Sequence, residues 1–386
     1  MNDNRKSIVE DITNTYPVTG GLLIFPETGL VVSDETPATV YKRVLALFTF
    51  IVQEISNGKL PCINVPMNHS KNAIYDDKRN VFLGNQERTI KFEGSGIDQL
   101  LRILRVAEIV LDLTRKNIHA TKREIFYSDV NVFGDQRNSD RACEELSRLL
   151  RVRRKNLMIV AAPRGLICGK MVLVHENTFI DLENAGEGWQ VDPFINKYEI
   201  VESKAAFVLL VEKHDIYMKL SRSRWFDKYP CIIATSKGIP TLNLREFLSK
   251  VVGHLHIPLF ILTDGDPGGI QFALTVARGS ISHGTETPWL ACNHAWWIGV
   301  HPGDVEAFSI DEADCNKVTK GEREHIDHLL GRLKLGGEND KLQNALKSMQ
   351  ESGITVSLEC ISRKEAGYLE EIYIPTKLSR ESLIPL

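Results

Sequence analysis

Tyr127 stands four residues after Arg123 in the segment ATKREIFYSD, and on a helix that spacing projects both side chains from one face. A phenol is a poor nucleophile near neutral pH because its reference pKa is about 10. A neighbouring guanidinium favours the phenolate and can clamp a phosphate through paired N–H bonds, so the two residues hold the parts for attack on a phosphodiester. The same spacing also serves plain helix packing or a cation–π contact. Three acidic residues form a second candidate set. Asp264 and Asp266 follow the apolar run Leu259–Leu262 and precede Pro267-Gly268-Gly269, and Glu212 ends the apolar run Phe207–Val211. Side chains two apart on extended backbone face the same way. The carboxyl ends of parallel strands are where open α/β sheets bind ligands. Carboxylates held together repel unless a proton or cation intervenes, so neighbouring strands here would make a Mg²⁺ site. A polar loop is the plain alternative for a D-x-D. No Walker A sequence accompanies these residues, so nucleotide hydrolysis is not indicated.

Basic residues offer contacts to a phosphate backbone. Lys237 lies in the turn Thr235-Ser236-Lys237-Gly238, Arg245 on the helix after it, and Arg164 at the tip of a Pro-Arg-Gly turn. Arg148 and Arg151 begin the densest basic run, which continues through Arg153, Arg154 and Lys155. The chain's net charge is −3, yet Lys122 to Lys170 contains 11 basic and 6 acidic residues. That local excess suits DNA, although a charge run also serves as an ordinary solvated face.

Helices and strands must position these groups. Tyr41 to Ile55 has helical apolar spacing, and a stronger amphipathic helix runs from Leu100 to Leu113 after Gly94-Ser95-Gly96. Thr121 and Glu124 form a capping box that starts the short helix carrying Arg123 and Tyr127. Asp135 to Asn138 reads as a loop and Ser139 as the cap of a third helix reaching Leu150. Two strands, Leu157 to Ala161 and Met171 to Val174, follow around Pro163-Arg164-Gly165. Three helices and a small β-wing suggest a winged helix-turn-helix, and a helical bundle with a hairpin would fit the same pattern. Beyond the polar stretch Asp181 to Asp192, apolar runs at 207–211, 231–234, 259–262 and 296–300 alternate with helical patterns. That rhythm predicts buried parallel strands with crossover helices. The domains expected are 1–94, a helical or partner-binding region; 95–180, the winged-helix domain; and 181–386, the α/β domain with a helical C-terminal elaboration.

Composition narrows the classes. At 386 residues, several domains are expected. The N-terminus lacks the apolar core of a secretory signal, and the longest apolar stretch, Val44 to Val52, is about half a membrane span, so no membrane partner is expected. Seven scattered cysteines without a C-x-x-C fit a reducing compartment better than a disulfide or zinc scaffold. The histidine pairs 254/256 and 325/328 lack the companions of a metal site.

Taken together, these segments resemble the meiotic double-strand-break transesterases and their relatives, the A subunits of topoisomerase VI. ATKREIFYSD is similar to the family's nucleophile motif, with Tyr127 at the tyrosine and Arg123 at its arginine; the family often has two adjacent tyrosines, and here the first is Phe126. VEKHDIY (211–217) resembles the toprim glutamate motif, placing Glu212, and LTDGDPGGI (262–270) the paired aspartates, placing Asp264 and Asp266. TSKGIPTLNLREFL and WWIGVHPGDVEAF match in order and spacing, over about residues 95 to 310. Departures are Gly268 for a usual tyrosine, Ser236 for a usual glycine and Arg164 for a usual lysine. The resemblance implies an α/β multidomain fold, a CAP-like winged helix followed by a toprim domain. It implies Mg²⁺ and a 5′-phosphotyrosyl intermediate on double-stranded DNA. It also implies a homodimer in which the tyrosine of one copy meets the metal site of the other. An ATP-handling B-type partner or its non-topoisomerase relative, further break-formation factors, and a place on chromosomes in the nucleus are implied as well. The motif details point to the meiotic form; the alternatives are a catalytically silent DNA-binding relative and a topoisomerase subunit.

Overall fold

Three apolar segments, Phe207–Val211, Cys231–Thr235 and Leu259–Leu262, are buried along their whole length, with Thr235 at the end of the second the one polar side chain among them. Strands covered on both faces read as continuous apolar runs rather than alternating ones. The computed structural model describes residues 25–335, 340–379 and 383–386. In it, these segments form the middle of a seven-stranded sheet. We number its strands β1 (Leu166–Gly169), β2 (Trp189–Gln190), β3 (Phe207–Val211), β4 (Cys231–Thr235), β5 (Leu259–Leu262), β6 (Ala295–Gly299) and β7 (Ile384–Pro385). The spatial order is β2-β1-β4-β3-β5-β6-β7. The β4-β3-β5-β6 centre is parallel, and antiparallel strands flank it on both sides.

Side-chain alternation splits the core into two layers. Val208, Leu210, Ile232, Ala234 and Ile261 face one cluster, and Phe207, Leu209, Val211, Ile233 and Phe260 face the other. A second body of structure comes before the sheet. There α1 (Pro37–Ser56), α2 (Ser95–Lys116), α3 (Lys122–Ser128) and α4 (Gln136–Leu149) enclose a core with Val44, Leu100, Val110, Ile125, Phe133 and Leu146. The sheet's own helices are α5 (His214–Arg222), α6 (Leu242–Leu255), α7 (Pro267–Arg278), α8 (Lys320–Leu335) and α9 (Leu358–Lys364). No described helix is long and apolar enough to cross a membrane.

Several local expectations need correction. The third helix starts at Gln136, three residues before Ser139, because Asp135 caps it by accepting from the Arg137 N–H at 2.8 Å. Ser139 is buried inside the first turn and donates its hydroxyl to the Gln136 carbonyl. The two strands expected to form one wing do not pair with each other. Ile159–Val160 pairs in parallel with Ala120–Thr121 at the root of α3, while Met171–His175 joins a three-stranded sheet with Thr178–Asp181 and Glu199–Ser203. Between them β1 runs antiparallel to β4. Backbone hydrogen bonds to the large sheet thus claim residues 166–169, ahead of the boundary expected at 181. The first expected region, 1–94, is not purely helical. Cys62–Pro66 pairs with Glu87–Lys91, and Ala73–Tyr75 with Val81–Leu83. Residues 1–24 lie outside the described residues.

Candidate active site

The short helix α3 is fixed at both ends and on its buried face. The Thr121 hydroxyl accepts from the Glu124 N–H at 3.3 Å, and the Glu124 carboxylate accepts from the Thr121 N–H at 2.6 Å, completing the capping box. Ile125 is 1% exposed and anchors the inner face. Lys122 forms a 2.7 Å ion pair with Glu144 of α4. Past the helix, Asp129 pairs with Arg105 of α2 at 2.8 Å. The outer face carries Arg123 and Tyr127. Tyr127 is 59% exposed, with its hydroxyl 3.4 Å from Arg123 Nη2 and the guanidinium 5.7 Å from the ring centroid. Phe126, its ring 5.3 Å from that of Tyr127, packs toward the core. An anchored helix thus presents one free phenol with a cation beside it.

The acidic residues meet at a different place. β3 lies between β4 and β5, so the connection leaving β3 runs toward β4 and the one leaving β5 runs the other way toward β6, opening a crevice at the carboxyl ends of β3 and β5. Val211 is in register with Leu262, which puts Glu212 beside Thr263 and Asp264. The Asp264 N–H reaches Glu212 Oε2 at 3.4 Å. Asp266 Oδ1 accepts from the Gly269 N–H at 2.7 Å and caps α7. Gly269 has no room for a side chain, because a Cβ there would lie 2.2 Å from the Asp264 carbonyl oxygen. Burial, then the charges of Asp264 and Asp266, pushes the Glu212 carboxyl up to about 7. Burial likewise raises Asp264.

A lysine already neutralises part of this charge. Lys213 Nζ lies 2.8 Å from Asp264 Oδ2 and also contacts Glu359 of α9. Asp264 Oδ1 accepts from the Leu358 N–H at 2.8 Å. Main-chain bonds between Gly265 and Val356 hold this C-terminal segment against the cluster. As the side chains stand, no three His, Cys, Asp or Glu among the described residues converge tightly enough to hold a metal ion. The donors are nevertheless all carboxylate oxygens, the set a hard divalent cation takes. A cationic lysine bound to one of them, and repulsion among them, show that the site needs positive charge. Replacing Lys213 with Met is expected to tighten divalent-metal binding roughly tenfold by removing this competitor. Calorimetric titration of the full chain with Mg²⁺ reads it; equal or weaker binding would contradict the competition.

Sequence reasoning placed Tyr127, Arg123, Glu212, Asp264 and Asp266 on these elements. It missed Glu359 and the Leu358 N–H, which come from a segment more than 90 residues beyond Asp264 and carry no local signal. No hydrogen bond or ion pair among the described residues joins Tyr127 or Arg123 to the three carboxylates.

The basic candidates divide. Lys237 and Arg164 are exposed, and Arg151 keeps about half its side chain in solvent. The Lys237 turn adjoins the acidic crevice through a Gly238 N–H bond to the Glu212 carbonyl. Arg148 and Arg245 do not fit the expected role, being 6% and 1% exposed. Arg148 spends its Nε–H on the Pro66 carbonyl at 2.9 Å, tying α4 to the N-terminal strands. Arg245 lies within the packing of α6. The basic run after Arg151 is also used internally. Arg153, 1% exposed, meets Asp34, Glu246 and Glu286.

Residues 207–378 match a family model for the Toprim domain of the topoisomerase 6 A subunit and Spo11, and residues 98–159 match one described as type IIB DNA topoisomerase. The chain is 29% identical over 358 residues to the A3 subunit of DNA topoisomerase 6 from Oryza sativa subsp. indica, covering 92% of this chain and 81% of that protein. It is 27% identical over 359 residues to meiotic recombination protein SPO11 of Mus musculus, covering 89% and 90%. It is also 27% identical to the A subunit of type 2 DNA topoisomerase 6 from Sulfurisphaera tokodaii, covering 88% and 94%.

Proposed function

Because the chain belongs to the family of Spo11 and the topoisomerase 6 A subunits, we propose that it breaks duplex DNA by transesterification from Tyr127. The Tyr127 oxygen bonds to a backbone phosphorus as the bond from phosphorus to the 3′ oxygen breaks. The phenol loses its proton, the leaving oxygen gains one, and a 5′-phosphotyrosyl link conserves the phosphodiester bond. Arg123 holds the phosphate and favours the phenolate. Lys237, Arg151 and Arg164 contact the backbone, so binding depends on salt more than on sequence. Glu212, Asp264 and Asp266 would hold Mg²⁺, which supplies positive charge to position phosphate and support the leaving oxygen.

The observation that carries this reading is the exposure of Tyr127 on a fixed helix, with no contact to the carboxylates of its own chain. Two copies would complete each other's sites, and a dimer would cut both strands. The segment around α2, α3 and α4 serves as the DNA-facing domain and the β3–β6 region as the toprim domain. The setting proposed is meiotic break formation on chromosomes in the nucleus, with a B-type ATP-handling partner or its relative and further break-formation factors. The similarity to plant topoisomerase 6 A subunits supports a second reading, a topoisomerase subunit with the same chemistry. Relaxation of supercoiled DNA with an ATPase partner separates the two.

The sharing of sites between copies has its own test. Mixed dimers of Tyr127→Phe and Glu212→Gln chains contain one intact composite site. With the natural partners they are expected to give single-strand nicks carrying the Glu212→Gln chain, though each variant alone gives none. Failure of the mixture to nick, with mixed dimers verified, would contradict a shared site.

A further inference from the structure

We propose that His301 is a positioning residue for the acidic site, holding the main chain at Asp264 through Trp297 and Thr263. The inference rests on reading Glu212, Asp264 and Asp266 as a Mg²⁺ site.

Thr263 joins β5 to Asp264 and is fully buried. The end of β6 holds it at three points. Its N–H donates to the Gly299 carbonyl at 2.9 Å, its carbonyl accepts from the Val300 N–H at 2.8 Å, and its hydroxyl accepts from the Trp297 indole N–H at 2.9 Å. The same hydroxyl donates to the Asp264 carbonyl at 3.0 Å. A Cβ on Gly269 would lie 2.7 Å from the Thr263 hydroxyl oxygen, so Thr263 is also wedged against the first turn of α7, which Asp266 caps. A shift of Thr263 therefore moves both aspartates.

His301 closes the turn 297–301 on which Thr263 hangs. Its Nε2 lies 3.1 Å from the Trp297 carbonyl oxygen, its Nδ1 3.0 Å from Lys377 Nζ, and its ring centroid 4.5 Å from that of Trp297. A carbonyl only accepts and an ammonium only donates, so the imidazole is neutral with its proton on Nε2. Burial, then the charge of Lys377, pushes it down to about 4 and keeps it in that form. Behind the ring, the buried Asp304 carboxylate accepts from Lys377 at 2.8 Å, from the His301 N–H at 2.8 Å and from the Tyr373 hydroxyl at 2.6 Å. A buried ion pair is a weak source of stability, and apolar packing often serves as well. What this pair does fix is the direction in which the imidazole points. Groups behind the ligands of a metal site set the ligands' orientation, and losing one costs roughly ten- to a hundredfold in metal affinity.

Calorimetric titration of the metal-free full chain with Mg²⁺, beside a thermal melt without metal, tests the inference. His301→Leu loses both ring bonds and is expected to bind Mg²⁺ about tenfold more weakly than the wild type. His301→Gln has an amide that can donate to the Trp297 carbonyl and accept from Lys377, so it should bind within about threefold of the wild type, even where it melts as low as His301→Leu. Trp297→Phe keeps a ring beside His301 and loses only the indole N–H to Thr263. It guards against a folding failure of His301→Leu and should also bind several-fold more weakly. Wild-type affinity in folded His301→Leu or in Trp297→Phe, or an equal loss in His301→Gln and His301→Leu, would overturn the inference and leave the metal site standing. Wild-type binding that Glu212→Gln does not weaken would remove the metal-site reading itself, and the inference with it.

Discussion

Tyr127→Phe is expected to abolish covalent attachment to DNA, a loss of at least roughly a thousandfold, while leaving the melting temperature almost unchanged. The two halves of this result have separate causes. Removing the hydroxyl removes the nucleophile, and Phe126 beside it offers no substitute. The same hydroxyl contributes little to folding, because its contact is a long 3.4 Å approach from Arg123 on the exposed face of α3. The helix is held instead by Ile125, the Thr121–Glu124 capping box and the Lys122–Glu144 pair, none of which the substitution touches. Denaturing recovery of protein-bound DNA, beside a thermal melt of each protein, reads both halves. Cleavage that survives in Tyr127→Phe would remove Tyr127 from the mechanism.

Glu212→Gln should separate activity from stability in the opposite direction. Its carboxyl, held at about 7 in the fold, compares with 4.5 for an unperturbed glutamate. The folded chain therefore keeps the proton longer than the unfolded one. Stability carries no penalty from this group below about pH 4.5, falls as pH rises toward 7, and stays lowered above that. A neutral amide of the same shape removes the penalty, so Glu212→Gln is expected to be more stable at pH 8 without metal, by on the order of 2 kcal/mol. The advantage should vanish at pH 4 and shrink in saturating Mg²⁺, which only the wild-type carboxylate can use. Cleavage should be lost throughout. Melts at pH 4 and pH 8, with and without Mg²⁺, measure the difference. A variant less stable than the wild type at pH 8 without metal would show that the carboxylate is not under strain.

How much was legible in the sequence follows from how local each signal is. The apolar runs at 207–211, 231–234 and 259–262 declared themselves because strands buried on both faces leave almost no polar positions; the second strand runs one residue further, to Thr235. Thr121 and Glu124 announced α3 because a capping box is complete within four residues. Strand partners are a different matter. Leu166–Gly169 has nothing in its own composition that sends it to β4 instead of to a hairpin neighbour, and the expected wing failed for that reason. Burial of charge was equally hidden. Arg148 and Arg245 look like any other basic residue, and only packing against Pro66 and within α6 takes them from the surface. The acidic cluster could be read as far as its three carboxylates; Lys213 was visible beside Glu212, but its bridge to Glu359 was not.

The most direct measurement of the central claim is the chemical identity of the protein–DNA bond. Breaks made by the full chain with its natural partners and Mg²⁺ can be digested with nuclease and protease, and the modified peptide sequenced by mass spectrometry. The account predicts a single nucleotide-bearing peptide containing Tyr127, joined through its phenol oxygen to a 5′ phosphate. A link at any other residue, or to a 3′ phosphate, would contradict it.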